Sequence, residues 1–251
     1  MDTSLYLLTA AGFIGLSFVC LVLIFYGLRQ GLRATVFSQG RQNRIFYGSL
    51  LAVSLWILII SILAGQGFFA DFTGMPPRMA VVVLPFVVVL GLTFTRTPTT
   101  ILQHVPLAWL HYLQGFRVPV EVLLWMLFIQ NLLPVQMTFE GRNFDILAGL
   151  TGPVVGYYCF ARRSWPQWVA VLWNAGSLAL LLNIVVISIL STPVPFRYFL
   201  NEPANTIVAH FPFILLPMVL VPVAYSMHFF SLRRLLTAEQ PEGKAVSPLA
   251  A

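Results

Sequence analysis

Residues 5–28 read LYLLTAAGFIGLSFVCLVLIFYGL, and no charged side chain interrupts them. A helix crossing a hydrocarbon core of about 30 Å needs about 20 apolar residues, so this run is long enough to span a bilayer. Further apolar segments follow at 46–66, 79–95, 118–135, 146–161, 167–190 and 211–231. With 59% hydrophobic and only 9% charged residues in a chain of 251, the composition lies far outside the soluble globular range. The expected fold is therefore all-α: a polytopic transmembrane bundle of seven helices in one domain, residues 1–236. The polar end, residues 237–251, is expected to be a short disordered tail. The first run follows Asp2 rather than a basic segment and lacks a small-residue cleavage site, so it is expected to be retained as a helix rather than removed as a signal.

Charge sets the expected topology. Arg29, Arg33, Arg41, Arg44, Arg96, Arg117, Arg162, Arg163, Arg233, Arg234 and Lys244 fall in alternate connections or in the tail, and they are 11 of the 14 basic residues. Only Arg78, Arg142 and Arg197 fall on the other side. The positive-inside rule then places the N-terminus outside and the C-terminus in the cytoplasm, in a plasma membrane of bacterial type given the compact loops. A net charge of +6 does not point to nucleic acid, because the basic residues gather at helix ends instead of on one soluble face. The expected partners are the lipid bilayer, a small-molecule ligand and, as an alternative, another membrane protein.

Three local features refine this picture. Residues 97–117, TPTTILQHVPLAWLHYLQGFR, are apolar enough to be suspected of crossing, but a crossing there would reverse the charge bias of everything downstream. They are expected to lie on the inner surface, with Pro106 opening a helix and Trp109, Tyr112 and Phe116 at the interface. Gly149, Gly152 and Gly156 in the fifth segment have the small-residue spacing that lets helices approach closely. Pro212, Pro217 and Pro222 in the seventh each remove an amide donor and displace the carbonyl four residues earlier, so that segment is expected to be kinked, with neighbours satisfying the freed groups.

Chemistry-bearing residues concentrate in two outer connections. QMTFEGRNFDILAG, residues 136–149, places Glu140, Arg142, Asn143 and Asp145 among apolar residues, a mixture that suggests a loop folded against the protein. Residues 191–213 add Arg197, Glu202 and His210. Glu140, Arg142, Asn143, Asp145, Glu202 and His210 are the expected ligand-binding set: an arginine fork suits an acid, and carboxylates accept from hydroxyls or amines. Within the helices, Glu121 follows Arg117 by one turn, so an ion pair between them near the inner end of the fourth helix is expected. No carboxylate is expected at mid-depth.

Other chemistries find little support. No HExxH or comparable spacing marks a metal site, and Cys20 and Cys159 lie separately in apolar runs. The only lysine, Lys244, is in the tail, which rules out a retinal Schiff base. His210 and His228 lie near opposite ends of one helix; His104 and His111 fall on the inner side, where His228 has a candidate partner for haem and His210 has none. No cofactor is expected and no catalytic residues can be named. The expected function is recognition or passage of a small polar or amphiphilic molecule through a site open to the outer face. The alternatives are a membrane-embedded enzyme with a lipid or lipid-linked substrate and a non-catalytic subunit.

Overall fold

The computed structural model describes residues Thr3 to Thr237; apart from Thr237, which ends the last helix, the expected tail lies outside the described residues. The described chain is helical and contains no strand. Eight helices follow in order: α1 (Thr3–Arg33), α2 (Gln39–Gly65), α3 (Arg78–Thr93), α4 (Arg96–Gln103), α5 (Leu107–Ile129), α6 (Ile146–Ala161), α7 (Gln167–Leu190) and α8 (Val221–Thr237), the last preceded by a π-helical turn, Leu216–Leu220. Four of them, α1, α2, α5 and α7, are long and apolar enough to cross a membrane. A fifth crossing arises if α3 and α4, bent by 72° at residues 94–95, count as one span; α6 is apolar but shorter.

Two sequence expectations need correction. Residues 107–117 do not lie along a surface. They are the first half of α5, and Leu110, His111, Gln114 and Arg117 are all buried. Three polar side chains in that half lower its hydropathy, and the bundle interior satisfies them. Only α4, turned away from α3, fits a segment running across the end of the bundle. Arg117 accordingly belongs to the middle of a helix and not to a loop.

Local chemistry explains why α5 stops where it does. Asn131 adopts φ 57°, the amide of Leu132 bonds to the carbonyl of Leu127, and the amide of Asn131 bonds to that of Phe128. These are the two bonds of a Schellman cap, with asparagine in the left-handed position. Pro134 follows, and the chain turns back along α5 instead of leaving it. Gly141 makes the return possible, because a Cβ there would sit 2.2 Å from the carbonyl oxygen of Val135.

The glycines of α6 do what their spacing predicted. Added Cβ atoms would lie 2.9 Å from the Val118 amide nitrogen at Gly149, 3.0 Å from the His111 oxygen at Gly152 and 3.2 Å from the Ala108 oxygen at Gly156. Backbone thus meets backbone along the first half of α5. Between helices in lipid this close van der Waals approach replaces the hydrophobic driving force.

The kinked last segment also finds its neighbours. Pro222 cannot bond the carbonyl of Met218, and the indole Nε1 of Trp56 on α2 donates to that oxygen at 3.0 Å.

Candidate functional site

The depth of Arg117 follows from packing. On the antiparallel α1, Gly12 meets Leu123 and Gly27 meets Trp109. Interpolating between these contacts puts Arg117 level with about residue 18, the centre of α1. On α7, Arg117 Nη2 donates to the Ser177 carbonyl at 3.3 Å, and Ser177 also lies near the middle of its helix. Arg117 therefore sits at half the height of the bundle.

Its partner there is Asp145. Nε donates to Oδ2 at 2.6 Å and Nη2 to Oδ1, a bidentate fork. The two residues are exposed by only 1% and 5%. Asp145 immediately precedes α6, so α6 begins at mid-height and runs as a half-length helix toward the end where α1 meets α2. The chain that delivers Asp145 to this depth is non-helical over residues 138–145. It descends beside α5, with Trp125 Nε1 donating to Glu140 at 2.6 Å and Asn143 Nδ2 donating to Glu121 Oε1 at 2.6 Å. Asn143 Oδ1 accepts from the Asp145 amide. Irregular backbone at such depth is tolerated only when protein encloses it, and Thr138, Asn143 and Asp145 are buried.

From Arg117 the network continues across α8 and α7 to the start of α5. Arg117 Nη1 lies 3.0 Å from His228 Nε2, His228 Nδ1 lies 2.9 Å from Asn174 Oδ1, and Asn174 Nδ2 lies 3.1 Å from His111 Nε2. His111 Nδ1 ends the chain 2.9 Å from the Leu107 carbonyl. The proton positions follow from the two ends. Arginine only donates, so His228 Nε2 accepts, His228 Nδ1 donates, and Asn174 presents its oxygen to His228 and its amide to His111. A carbonyl only accepts, which independently fixes His111 as Nδ1–H. Both imidazoles are neutral, and Trp173 packs beside each, with ring centroids 5.2 and 5.4 Å away.

The expected Arg117–Glu121 pair is corrected by this arrangement: no salt bridge joins them, and among the described residues Arg117 pairs with Asp145. The one-turn spacing is right, but the loop brings in Asp145 to accept from both Nε and Nη2, and Asn143 takes up Glu121 Oε1. Glu121 is left with Oε1 bound to Asn143 and Oε2 buried without any hydrogen bond. Gln114 Oε1 and Tyr225 OH are likewise buried and unpartnered. The expectation of no carboxylate at mid-depth is also corrected, since Asp145 and Glu121 both flank Arg117. No spacing rule could reveal this, because Asp145 reaches that depth on a loop.

The six expected ligand residues do not come together. Asn143 and Asp145 join the buried network. Glu140 is exposed against Trp125, and Arg142 lies over the Phe199 ring at 5.4 Å while its carbonyl accepts from Asn183. Glu202 pairs with Arg197 at 3.0 Å, and His210 is exposed on its own turn. The Arg197 guanidinium, then the Ala204 amide, hold the Glu202 carboxyl below its usual range. The two connections do touch: Gln136 donates to Ser191 Oγ and accepts from Asn201, each at 2.9 Å. Sequence reasoning missed His111, Gln114, Asn174, Ser177 and His228 as members of one site. Three of the five, Asn174, Ser177 and His228, lie on helices it had placed, and His111 and Gln114 lie in the segment it assigned to the surface; the sequence could not reveal which faces converge. Among the described residues no group of three or more His, Cys, Asp or Glu is placed to hold a metal ion.

No family model, no curated protein and no solved structure matches the chain.

Proposed function

We propose that this integral membrane protein recognises or passes a small polar or amphiphilic molecule from its outer face, with the Arg117–Asp145 pair as the centre of the site. The observation that carries this reading is a fully buried ion pair at half the height of the bundle, built between a continuous helix and the start of a half-length one. Ionisable groups are costly at such a depth and usually mark a pathway. Carriers commonly place their sites at mid-membrane beside interrupted helices. On this reading the chain crosses seven times, with α6 and its preceding loop as the fifth crossing, the N-terminus outside and the C-terminus in the cytoplasm of a bacterial-type cell.

On this reading Glu140, Arg142, Glu202 and His210 lie at the outer end, each with its own local contacts, and Asn143 links that end to Asp145 and Glu121. Glu121, with its open oxygen, is the group that exchanges a proton or cation with the solute pathway. Arg117 then has two carboxylate partners within reach, so loading of one site can loosen the other.

The test is transport in proteoliposomes enclosing a pH-sensitive dye and challenged with a panel of organic anions, amines and amphiphiles. Solute-dependent proton movement that Asp145→Asn or Glu121→Gln removes, while both variants remain folded, supports the reading. Solute movement unaffected by either variant, or no movement and no ligand-induced thermal shift with any of the panel, would overturn it.

A further inference from the structure

Away from the ion pair, a cavity of about 770 Å³ lies between α1, α2, α3, α4, the first half of α5 and α8. Its wall is almost wholly apolar. At one end it is bounded by Thr95, Arg96 and Thr97 at the bend between α3 and α4, and at the other by Trp56 and Met218. Met218 precedes the mid-height start of α8, so the cavity runs from one end of the bundle to about its middle, the depth of one leaflet of a bilayer. It also opens sideways. Leu84, Val88 and Leu92 of α3 line it and are simultaneously 51%, 51% and 43% exposed, and α2 and α3 pack scarcely at all against each other.

Charge distinguishes the polar end. Arg41 Nη2 reaches Thr97 Oγ1 at 3.4 Å, and Arg233 lies over the Phe94 ring at 5.6 Å with its Nε buried and unpartnered. Arg96 is exposed at the cavity edge, and none of these three arginines belongs to a salt bridge among the described residues. The described carboxylates are all elsewhere: Asp71, Glu140 and Glu202 at the opposite end, Glu121 and Asp145 at mid-height. An apolar slot one leaflet deep, open to lipid and crowned by arginines without acidic partners among the described residues, has the shape and charge of a phospholipid site.

We propose that this cavity binds an acyl chain of an anionic phospholipid, with the headgroup phosphate held by Arg96, Arg41 and Arg233. The site is independent of the ion pair and of the function proposed for it. An arginine near an anionic headgroup contributes about 1 kcal/mol, or about fivefold in affinity.

The experiment uses the full chain in a mild neutral detergent. Phosphatidylglycerol, phosphatidylcholine and inorganic phosphate are titrated separately, read by native mass spectrometry and by the thermal transition. The expected result is retention and stabilisation by phosphatidylglycerol, with phosphatidylcholine at least tenfold weaker and inorganic phosphate ineffective. Arg96→Ala and Arg41→Ala are expected to weaken phosphatidylglycerol about fivefold each. Val88→Trp, which fills the slot from an exposed position, is expected to abolish binding while leaving the lipid-free transition unchanged. Equal binding of the two lipids, an equal effect of inorganic phosphate, or undiminished binding by a folded Val88→Trp protein would each overturn the proposal.

Discussion

Arg117 and Asp145, 28 positions apart in sequence, meet as fork and carboxylate at the centre of the bundle, with Nε 2.6 Å from Oδ2. Removing one member strands the charge of the other in a buried place, at a cost of roughly 3–5 kcal/mol, whereas replacing both by apolar side chains is far better tolerated. Asp145→Ala is therefore expected to destabilise the protein by that amount, and Arg117→Met combined with Asp145→Leu by clearly less. Denaturant unfolding in detergent, followed by circular dichroism, measures both. Additive losses in the double variant would mean that the two side chains act separately.

The hydrogen-bond chain from Arg117 to Leu107 allows one protonation pattern. His228 and His111 are both expected as neutral Nδ1–H tautomers, because Arg117 can only donate to His228 Nε2 and the Leu107 carbonyl can only accept from His111 Nδ1. Nitrogen-15 NMR of the labelled protein distinguishes the tautomers directly. An Nε2–H signal from either ring, assigned with His111→Gln and His228→Gln, would break the chain.

Trp56 compensates for Pro222 by donating to the freed Met218 carbonyl. A buried acceptor left without a donor costs about 1–3 kcal/mol. Trp56→Phe should lose about that much stability, and the loss should shrink in a Pro222→Ala background, where an amide again reaches the carbonyl. A double-mutant cycle measures the coupling; independent effects of the two substitutions would show that the indole does not serve this purpose.

The clamp between Arg197 and Glu202 should depend on pH in one direction. Because the folded carboxyl titrates lower than its ordinary value, the clamp is fully present above the ordinary carboxylate range and is lost as pH falls through the lowered value. Carbon-13 NMR of labelled glutamate, with Glu202→Gln to assign the resonance, reads the midpoint. A midpoint at or above that of free glutamate would contradict the contact.

Local signals in the sequence determined a good deal. Apolar runs located α1, α2 and α7, because a helix in lipid must be apolar over most of its length. Glycine spacing in α6 foretold its close packing on α5, and three prolines foretold a last segment that needs an outside donor, since each effect depends on one residue type and its immediate neighbours. The charge-rich stretch at 136–149 announced a loop folded onto the protein. Its destination was not legible. Asp145 reaches the depth of Arg117 because Gly141 lets the chain fold back and Asn143 ties it to Glu121. The histidines of α5 and α8 meet through Asn174 and Trp173 of α7. Hydropathy assigned the polar first half of α5 to a surface, because it counts each polar group as facing water or lipid. Only the tertiary structure supplied the third environment, a partner on another helix, and it is the convergence of three or four elements at one depth that decides where buried charge can reside.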